Sequence, residues 1–360
     1  MAKSEKQIVF NTAFKLKNKS FNTVEEIIAF SQNISSEVII FLKEWFDENS
    51  FVEVKTSGST GVPKIIKLQK SHMVNSARAT GEFFNLKEDT TALLCMSPNF
   101  IAGKMMLVRA LVLGWHLDIV APISNPLKDI AKQYDFCALV PLQLHNSIAE
   151  VAKIKKILVG GGVVSKELLN KIQTVETNVY ATYGMTETVT HIAVKKLNHL
   201  KKSSTKESHY RTLPNISIST DDRNCLVIKA PNVSDNEIVT NDVVHIISST
   251  EFEWLGRFDS IINSGGIKLI PEQIEEKLSS VINTRFFVAG IPDTLLGEKL
   301  ILVIELKSLK VEKLKKDILK KLNELQTLSK YEIPKEIYFI KKFIETPTGK
   351  INRNETLRLF

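Results

Sequence analysis

Cysteine and long apolar segments are both scarce in this sequence. The three cysteines, Cys95, Cys137 and Cys225, lie far apart in apolar or strand-like surroundings, and that spacing fits neither a disulfide framework nor a metal cluster. A reducing cytoplasm is therefore the expected location. The most apolar stretch, residues 105–120, is interrupted by charged side chains, so no membrane-spanning helix is predicted. The first 20 residues lack the continuous apolar core of a signal peptide.

Basic runs interleaved with aromatic residues, which are typical of nucleic-acid binding, are also missing. The net charge is +8, from 48 Lys and Arg against 40 Asp and Glu, but the excess is spread along the chain. We interpret most of it as solvated surface, which leaves nucleic-acid binding as the least favoured function. With 360 residues, 43% of them hydrophobic, the chain can form one large domain or two unequal ones.

Strand-like apolar runs alternate with helix-like segments over much of the chain. These runs are, in order, TALLCMSP, HLDIVAP, FCALVPL, KKILVGGG and VYATYG. Their alternation predicts an α/β domain with a largely parallel sheet. Ahead of them, residues 23–46 are predicted to form a helix, because Thr23 and Glu26 make a capping box and apolar residues then recur at helical spacing.

The last hundred residues change character and predict a small α+β unit. A helix is expected from Pro271 through Leu278, because proline is tolerated in the first turn. Strands are expected at FFVAG, KLILVIEL and EIYFI, and a lysine-rich amphipathic helix at about 311–328. The predicted fold class is therefore α/β, with a large N-terminal domain of residues 1–256 and a small C-terminal α+β domain of residues 257–360.

A loop rich in glycine and hydroxyl side chains is the strongest chemical signal. Residues 56–64 read TSGSTGVPK. Glycines let backbone N–H groups approach an anion closely, and the hydroxyls and Lys64 add donors for phosphate oxygens. The spacing is not that of a Walker A loop. A flexible surface loop is the alternative interpretation.

Three further motifs follow in the chain. Residues 182–188 read TYGMTET, residues 255–275 read LGRFDSIINSGGIKLIPEQIE, and residues 347–353 read PTGKINR. In the first, a threonine hydroxyl can contact a phosphate and a carboxylate can bind Mg²⁺, which prefers oxygen ligands. Each motif alone could be a helix cap or a plain turn, but four of them in a fixed order are less easily explained by chance.

These four segments resemble the signature motifs of the adenylate-forming superfamily of acyl- and aryl-CoA ligases, peptide-synthetase adenylation domains and luciferases. The resemblance extends from about residue 50 to the end of the chain. It implies a large N-terminal domain that binds ATP and a carboxylic acid, and a small C-terminal lid joined to it at a hinge. The phosphate loop begins unusually early, which implies a shortened N-terminal subdomain; a homodimer or a shortened wall could compensate.

The resemblance also implies which residues contact the nucleotide. The loop that grips the β- and γ-phosphates comprises Thr56, Ser57, Gly58, Ser59, Thr60, Gly61 and Lys64. The segments along adenine comprise Gly160, Gly161, Gly162, Thr182, Tyr183 and Gly184. Thr186 is expected at the α-phosphate, and Glu187 is expected to bind Mg²⁺. Asp242 matches the ligand of the ribose hydroxyls, and Arg257 matches its partner.

The remaining expected roles belong to the C-terminal domain. Asp259 falls at the hinge position, and Gly265 and Gly266 match the glycines that line the tunnel for coenzyme A. Lys350 matches the lysine that bridges the carboxylate and the α-phosphate during adenylate formation. A carboxylate that attacks the α-phosphate brings two anions together, so the transition state needs cations more than it needs a base. Mg²⁺ and Lys350 are expected to supply them.

Within the superfamily, two local segments resemble o-succinylbenzoate–CoA ligases of menaquinone biosynthesis. These segments are NFIAGKMMLVRALVLG, residues 99–114, and LVPLQL, residues 139–144. By that resemblance Arg109 is a candidate ligand for one carboxylate of a dicarboxylic aryl acid, since a guanidinium suits a carboxylate, and Lys104 is a second candidate. The alternative makes Arg109 a helix-surface residue with a local acid partner. His191 is interpreted as pocket-lining or structural.

The sequence therefore predicts an enzyme that uses ATP and Mg²⁺ to make an acyl-adenylate and coenzyme A to accept the acyl group. Its partners are small molecules, with no nucleic acid and no membrane insertion. Three alternatives stay open: another small aryl- or acyl-CoA ligase, an adenylating enzyme that loads a carrier protein, and a catalytically silent nucleotide-binding switch.

Overall fold

The computed structural model describes residues 10–55, 65–200, 209–306, 311–345 and 351–360. The predicted phosphate loop, residues 56–64, and Lys350 lie outside these ranges. No helix in the described ranges is long and apolar enough to cross a lipid bilayer.

The secondary-structure elements of the described residues have the following bounds. The strands are β1 (Lys15–Leu16), β2 (Lys19–Ser20), β3 (Phe51–Lys55), β4 (Ile65–Gln69), β5 (Thr91–Leu94), β6 (His116–Ile119), β7 (Tyr134–Leu139), β8 (Ile154–Val159), β9 (Asn178–Gly184), β10 (His191–Lys196), β11 (Tyr210–Thr212), β12 (Ser217–Thr220), β13 (Cys225–Lys229), β14 (Ile238–Ser248), β15 (Glu251–Arg257), β16 (Ile262–Ser264), β17 (Ile267–Leu269), β18 (Phe286–Asp293), β19 (Gly297–Glu305) and β20 (Glu336–Ile340). The α-helices are α1 (Val24–Ser31), α2 (Ser36–Phe46), α3 (Lys70–Phe84), α4 (Ile101–Leu113), α5 (Pro141–Asn146), α6 (Lys166–Ile172), α7 (Pro271–Leu278), α8 (Val311–Glu324) and α9 (Arg353–Leu357).

A large sheet forms the centre of the N-terminal part. Its thirteen described strands have the order β12-β13-β14-β15-β11-β10-β9-β8-β7-β5-β6-β1-β2. From β9 to β1 neighbouring strands are parallel, and from β12 to β10 they are antiparallel. The predicted parallel α/β arrangement is confirmed, and each of the five apolar runs overlaps one of its strands.

The parallel strands are buried on both faces, which explains their continuous apolar runs. Along β5, Ala92 and Leu94 belong to one hydrophobic cluster and Leu93 to another. Because successive side chains point to opposite faces of a sheet, the two clusters are the cores above and below it. This buried sheet carries the loops at the carboxyl ends of its strands.

The helix predicted for residues 23–46 is wrong in one respect, because the structure divides it. Helix α1 ends at Ser31 and α2 begins at Ser36. The hydroxyl of Ser35 accepts a hydrogen bond from the backbone N–H of Val38 at 3.2 Å, so Ser35 caps a new helix. The hydroxyl of Thr23 accepts the N–H of Glu26 at 3.3 Å and caps α1, but the Glu26 carboxylate accepts the N–H of Asn22 instead of that of Thr23, so the predicted capping box forms only in part.

A second sheet follows in the C-terminal part, with the order β17-β16-β19-β18 and β20 paired to β19. The predicted helix Pro271–Leu278 and the three predicted strands are present. Helix α8 ends at Glu324 rather than at about residue 328. Strand β15 of the large sheet ends at Arg257 and β16 of the small sheet begins at Ile262, while the domain bounds 1–256 and 257–360 remain a prediction.

Candidate functional site

The carboxyl ends of β8 and β9 bring two predicted groups of residues together. The glycines 160–162 follow β8, and residues 182–184 end β9. A Cβ atom on Gly160 would lie 2.5 Å from Oγ1 of Thr182, so the two segments can approach this closely only with glycine at that position. The carboxyl ends of parallel strands are where open α/β sheets bind ligands.

A strained turn follows β9 and holds the predicted phosphate and magnesium ligands. Val189 has φ 65° and ψ −60°, which a β-branched residue rarely adopts and which costs about 1–3 kcal/mol. The N–H of Thr190 donates to the carbonyl of Thr188 at 2.7 Å and closes a three-residue turn. The buried hydroxyl of Thr188 bonds the backbone on both sides. Thr186 and Glu187 lie in the short 3₁₀ helix between these anchors, and the Glu187 side chain is exposed.

The two strands on either side of residues 56–64 relate this part of the sequence to the turn after β9. Strands β3 and β4 are antiparallel, with Lys55 opposite Ile65, and β4 packs beside the 3₁₀ helix that contains Thr186. Strand β4, which begins directly after residues 56–64, therefore lies next to this turn.

Asp242 is the centre of a polar cluster at the edge of the site. Its Oδ2 accepts a hydrogen bond from the hydroxyl of Tyr183 at 2.7 Å, and its Oδ1 accepts one from Nε1 of Trp254 at 3.1 Å. Nη1 of Arg257, its partner in the β14–β15 register, lies 3.8 Å from Oδ1. The Asp242 side chain is largely buried, and burial together with this carboxylate raises the pKa of Tyr183. Tyr183 therefore remains a hydrogen-bond donor near neutral pH.

Arg257 also contacts the predicted hinge residue. Its Nε and Nη2 donate to the two carboxylate oxygens of Asp259 at 3.1 and 2.9 Å. This paired contact lowers the pKa of Asp259. Asp259 lies in a short 3₁₀ helix, residues 258–260, between the two sheets. The structure thus connects Tyr183, Asp242, Arg257 and Asp259 in one chain of polar contacts.

Arg109 lies inside the large domain and not on a helix surface. Its side chain is 2% exposed, and no described carboxylate forms an ion pair with it, so the alternative of a local acid partner is not supported among the described residues. Its Nε donates to Oγ1 of Thr80 at 3.3 Å, and its Nη2 lies 3.4 Å from Nδ1 of His191. Desolvation lowers the pKa of Arg109 to about 10, so the guanidinium is still charged at neutral pH.

His191 is the second buried residue next to Arg109, and the sequence did not predict the contact between the two side chains. Desolvation and the charge of Arg109 lower the pKa of His191 well below its usual value, so the imidazole is neutral. Since Nδ1 faces a donor, Nε2 carries the proton, yet Nε2 is buried without a hydrogen-bond partner in the described structure. His191 pairs with Gly184 across β9 and β10 and borders a cleft of about 190 Å³ beside α3. A buried cation and an unpaired donor therefore lie next to the end of β9.

Lys104, the second substrate candidate, is not brought to Arg109. Its Nζ forms an ion pair with Glu44 at 2.8 Å and lies 4.6 Å from the ring centroid of Phe41. Five positions separate Lys104 from Arg109 on α4, which places the two side chains on different faces. The geometry favours Arg109 over Lys104 as a carboxylate ligand.

The glycines predicted for the coenzyme A tunnel form the tip of a hairpin in the small sheet. Gly265 and Gly266 connect β16 to β17 with φ values of 60° and 81°, and positive φ at both positions is typical of a tight two-residue turn. In the described structure no hydrogen bond connects them to the Asp242 cluster.

The fold is that of an α/β protein with a second, C-terminal sheet. Residues 15–232 match the AMP-binding enzyme family. That match spans more than half of the chain, and the protein belongs to this family.

Two curated relatives are 2-succinylbenzoate–CoA ligases. The protein from Enterococcus faecalis is 25% identical over 334 residues, which cover 83% of this chain and 67% of the relative. A probable 2-succinylbenzoate–CoA ligase from Mycobacterium tuberculosis is 25% identical over 351 residues, covering 88% and 86%. The chain thus spans about two thirds of the first relative.

Solved structures share the fold. An acyl-CoA synthetase (AMP-forming)/AMP-acid ligase II-like protein from Dyadobacter fermentans is 37% identical, with a TM-score of 0.58, and the match covers 90% of this chain and 93% of that one. The o-succinylbenzoate coenzyme A synthetase of Bacillus subtilis, in complex with ATP and magnesium, is 19% identical with a TM-score of 0.72, covering 93% and 82%. At that identity the second likeness concerns the fold alone.

Proposed function

We propose that this protein uses ATP to convert a carboxylic acid into an acyl-adenylate and then transfers the acyl group to coenzyme A. One observation supports this most strongly. The glycines after β8, the strained turn after β9 and the Asp242 cluster converge in a chain of the AMP-binding enzyme family. A cytoplasmic location and a homodimer remain predictions.

Described residues can be assigned to successive parts of ATP, from the adenine to the phosphates. The 160–162 glycines and Tyr183 can form the adenine wall. The Asp242 carboxylate has lone pairs left for ribose hydroxyls beyond its contacts to Tyr183 and Trp254. Thr186 can donate to the α-phosphate, and the exposed carboxylate of Glu187 is a suitable oxygen ligand for Mg²⁺. Magnesium would neutralise phosphate charge, and the loop 56–64 would hold the outer phosphates.

The acid that fits best carries a second carboxylate, and we propose o-succinylbenzoate. A buried guanidinium without an acid partner is costly unless an anion binds it. Arg109 can supply two N–H donors to a carboxylate, and Nε2 of His191, on the side of the ring that faces away from Arg109, can donate to a different oxygen of the acid. The names of the relatives point to the same substrate.

A panel of acids tests this function directly. We expect pyrophosphate release and CoA-thioester formation with o-succinylbenzoate, and at least tenfold less with benzoate or a fatty acid, since one desolvated charged contact is worth roughly 1.5–3 kcal/mol. Thioester formation with free coenzyme A, measured by mass spectrometry, separates a CoA ligase from an enzyme that loads a carrier protein. ATP–pyrophosphate exchange with none of the acids would favour the silent nucleotide-binding switch.

The variant Asp242→Asn tests the ribose contact. It keeps the volume of the side chain but removes its charge, and we expect the KM for ATP to rise roughly 10- to 100-fold because hydrogen bonds to charged groups contribute about 1.5–3 kcal/mol. Asp118→Asn is the matched control, since Asp118 also accepts from a tyrosine hydroxyl, Tyr134 at 2.9 Å, and pairs with a cation, Lys132 at 2.9 Å. An equal rise in both variants would contradict the assignment.

A further inference from the structure

An arginine to which the sequence resemblance gives no role connects three segments beside Asp242. Arg223 lies in the turn between β12 and β13. Its Nη1 donates to Oδ1 of Asn241 at 3.0 Å, and its Nη2 donates to the backbone carbonyl of Thr240 at 3.1 Å. Its Cζ lies 5.1 Å from the ring centroid of Phe258. Arg223 thus contacts the two residues that precede Asp242 and a residue of the segment that follows β15.

An aspartate in the same turn fixes the orientation of this guanidinium. Nε and Nη2 of Arg223 lie 2.8 and 2.7 Å from Oδ2 of Asp221. The other carboxylate oxygen accepts the backbone N–H groups of Arg223 and Cys225, each at 2.9 Å. Asp221 neutralises the charge of Arg223, while the planar arrangement of N–H groups serves several partners at once. The ammonium of a lysine does not have this geometry.

Strand β14 is irregular where Arg223 contacts it. Between Val239 and Val243, which are both paired with β13, three residues of β14 face a single residue of that strand. A bulge of this kind leaves backbone groups without ladder partners and redirects side chains. Arg223 donates to one such group, the carbonyl of Thr240, and the Thr240 hydroxyl accepts the backbone N–H of Asp242 at 3.0 Å. The conformation of the bulge therefore sets the position of Asp242.

The contact with Phe258 connects the bulge to the end of β15. Asp242 is opposite Arg257 in the β14–β15 register, and Phe258 follows Arg257 directly. A guanidinium within about 6 Å of an aromatic ring centroid is attracted to the face of the ring, so Arg223 holds the end of β15 against the bulge. The same guanidinium therefore contacts the residue before Asp242 and the residue after Arg257.

We infer that Arg223 is a positioning residue for the ribose end of the nucleotide site. It holds the bulge of β14 and the end of β15 so that the Asp242 carboxylate faces the ribose hydroxyls. This inference rests on the proposed function, in which Asp242 binds those hydroxyls. Arg223 acts through Asp242 and is not a phosphate ligand, because Asp221 already neutralises its charge.

The variant Arg223→Lys keeps the positive charge and removes the planar set of donors. Calorimetric titration with Mg²⁺ and either ATP or 2′,3′-dideoxy-ATP, without any acid, separates the ribose hydroxyls from the rest of the nucleotide. We expect the wild-type protein to bind ATP roughly tenfold more tightly than the dideoxy compound, since hydrogen bonds to a carboxylate are strong. In Arg223→Lys this ratio should fall to about twofold, and the affinity for dideoxy-ATP should change less than about twofold.

Tryptophan fluorescence gives a second measurement that needs no nucleotide. Nε1 of Trp254 donates to Oδ1 of Asp242 at 3.1 Å, whereas the other two of the three tryptophans, Trp45 and Trp115, are fully buried. Quenching by acrylamide therefore reports chiefly on Trp254. It should increase in Arg223→Lys, because a looser bulge weakens the contact between Trp254 and Asp242.

The variant Asn241→Ala removes one acceptor and leaves Arg223 in place. We expect it to lower the ribose ratio as well. The double variant should lose no more than Arg223→Lys alone, because the two side chains act through one contact. Losses that add in the double variant would contradict a shared role.

Arg285→Lys is the matched control. Arg285 also forms ion pairs, with Glu305 at 3.3 Å and Glu345 at 2.6 Å, and its Cζ lies 5.6 Å from the ring centroid of Phe343, but it lies in the C-terminal part of the chain, beside β18. This variant should keep the wild-type ratio and the wild-type quenching.

An unchanged ratio in Arg223→Lys, or equal losses of affinity for both nucleotides, would overturn the inference. A wild-type protein that binds both nucleotides equally would contradict the role of Asp242 and, with it, the inference. A wild-type preference for ATP without acid-dependent pyrophosphate exchange would contradict the proposed function alone, so the two failures are distinct.

Discussion

Replacing Lys350 by alanine is expected to lower the rate of adenylate formation roughly 10²–10³-fold, the loss typical for removal of one preorganised charged donor. The carboxylate of the acid and the α-phosphate are both anions, and their approach needs a cation between them. Attack of coenzyme A on a supplied acyl-adenylate brings no second anion to the phosphate. That half-reaction should therefore be largely spared. Separate assays, by ATP–pyrophosphate exchange and by thioester formation from synthetic adenylate, measure the two rates.

Lys342→Ala serves as the control for this prediction. Lys342 is an exposed lysine of the same C-terminal domain, and its removal changes the net charge by the same amount. We expect it to leave both half-reactions unaltered. Equal loss of both rates in Lys350→Ala would argue that this lysine supports the fold or general anion binding instead of the adenylation step.

The parallel sheet was predictable because strands buried on both faces leave continuous apolar runs in the sequence. FCAL in β7 and KILV in β8 are such runs. The break between α1 and α2 was not predicted, because the apolar spacing continues through it and only the hydroxyl of Ser35 marks the new cap. Helical periodicity reports which face is buried, and it does not report where the axis changes direction.

The site was predictable in its parts but not in its contacts. The resemblance predicted that Asp242 and Arg257 are partners at the ribose and that Tyr183 lies along adenine. The structure connects Asp242 to Arg257 by an ion pair and to Tyr183 by a hydrogen bond. The contact between Arg109 and His191 joins residues 82 positions apart. It depends on how α4 packs on the sheet and on the β9–β10 register, neither of which leaves a local pattern.

Arg109→Met is expected to change stability and substrate use in opposite directions. Arg109 is buried without a described acid partner. Because an unpaired buried charge carries a large desolvation cost, its replacement by an apolar side chain of similar size should not lower stability. The melting temperature should therefore hold or rise. The rate of o-succinylbenzoate activation should fall at least about 100-fold, because truncating one partner of a buried charged contact costs roughly 2–5 kcal/mol. The rate of benzoate activation should change little, because benzoate has no second carboxylate.

Lys104→Met is the matched comparison on the same helix. Lys104 already pairs with Glu44, so its removal leaves that carboxylate without its cation and should lower the melting temperature. The Lys104→Met variant should have the same relative activities with the different acids as the wild-type protein. A destabilised Arg109→Met that loses all acids equally would mark Arg109 as a structural residue, and a loss of o-succinylbenzoate activation in Lys104→Met alone would transfer the carboxylate site to Lys104. Both variants remove one positive charge, but only Lys104 already has an acidic partner in the protein. The sign of the change in melting temperature therefore separates a buried cation that binds an anionic ligand from one that forms an internal ion pair.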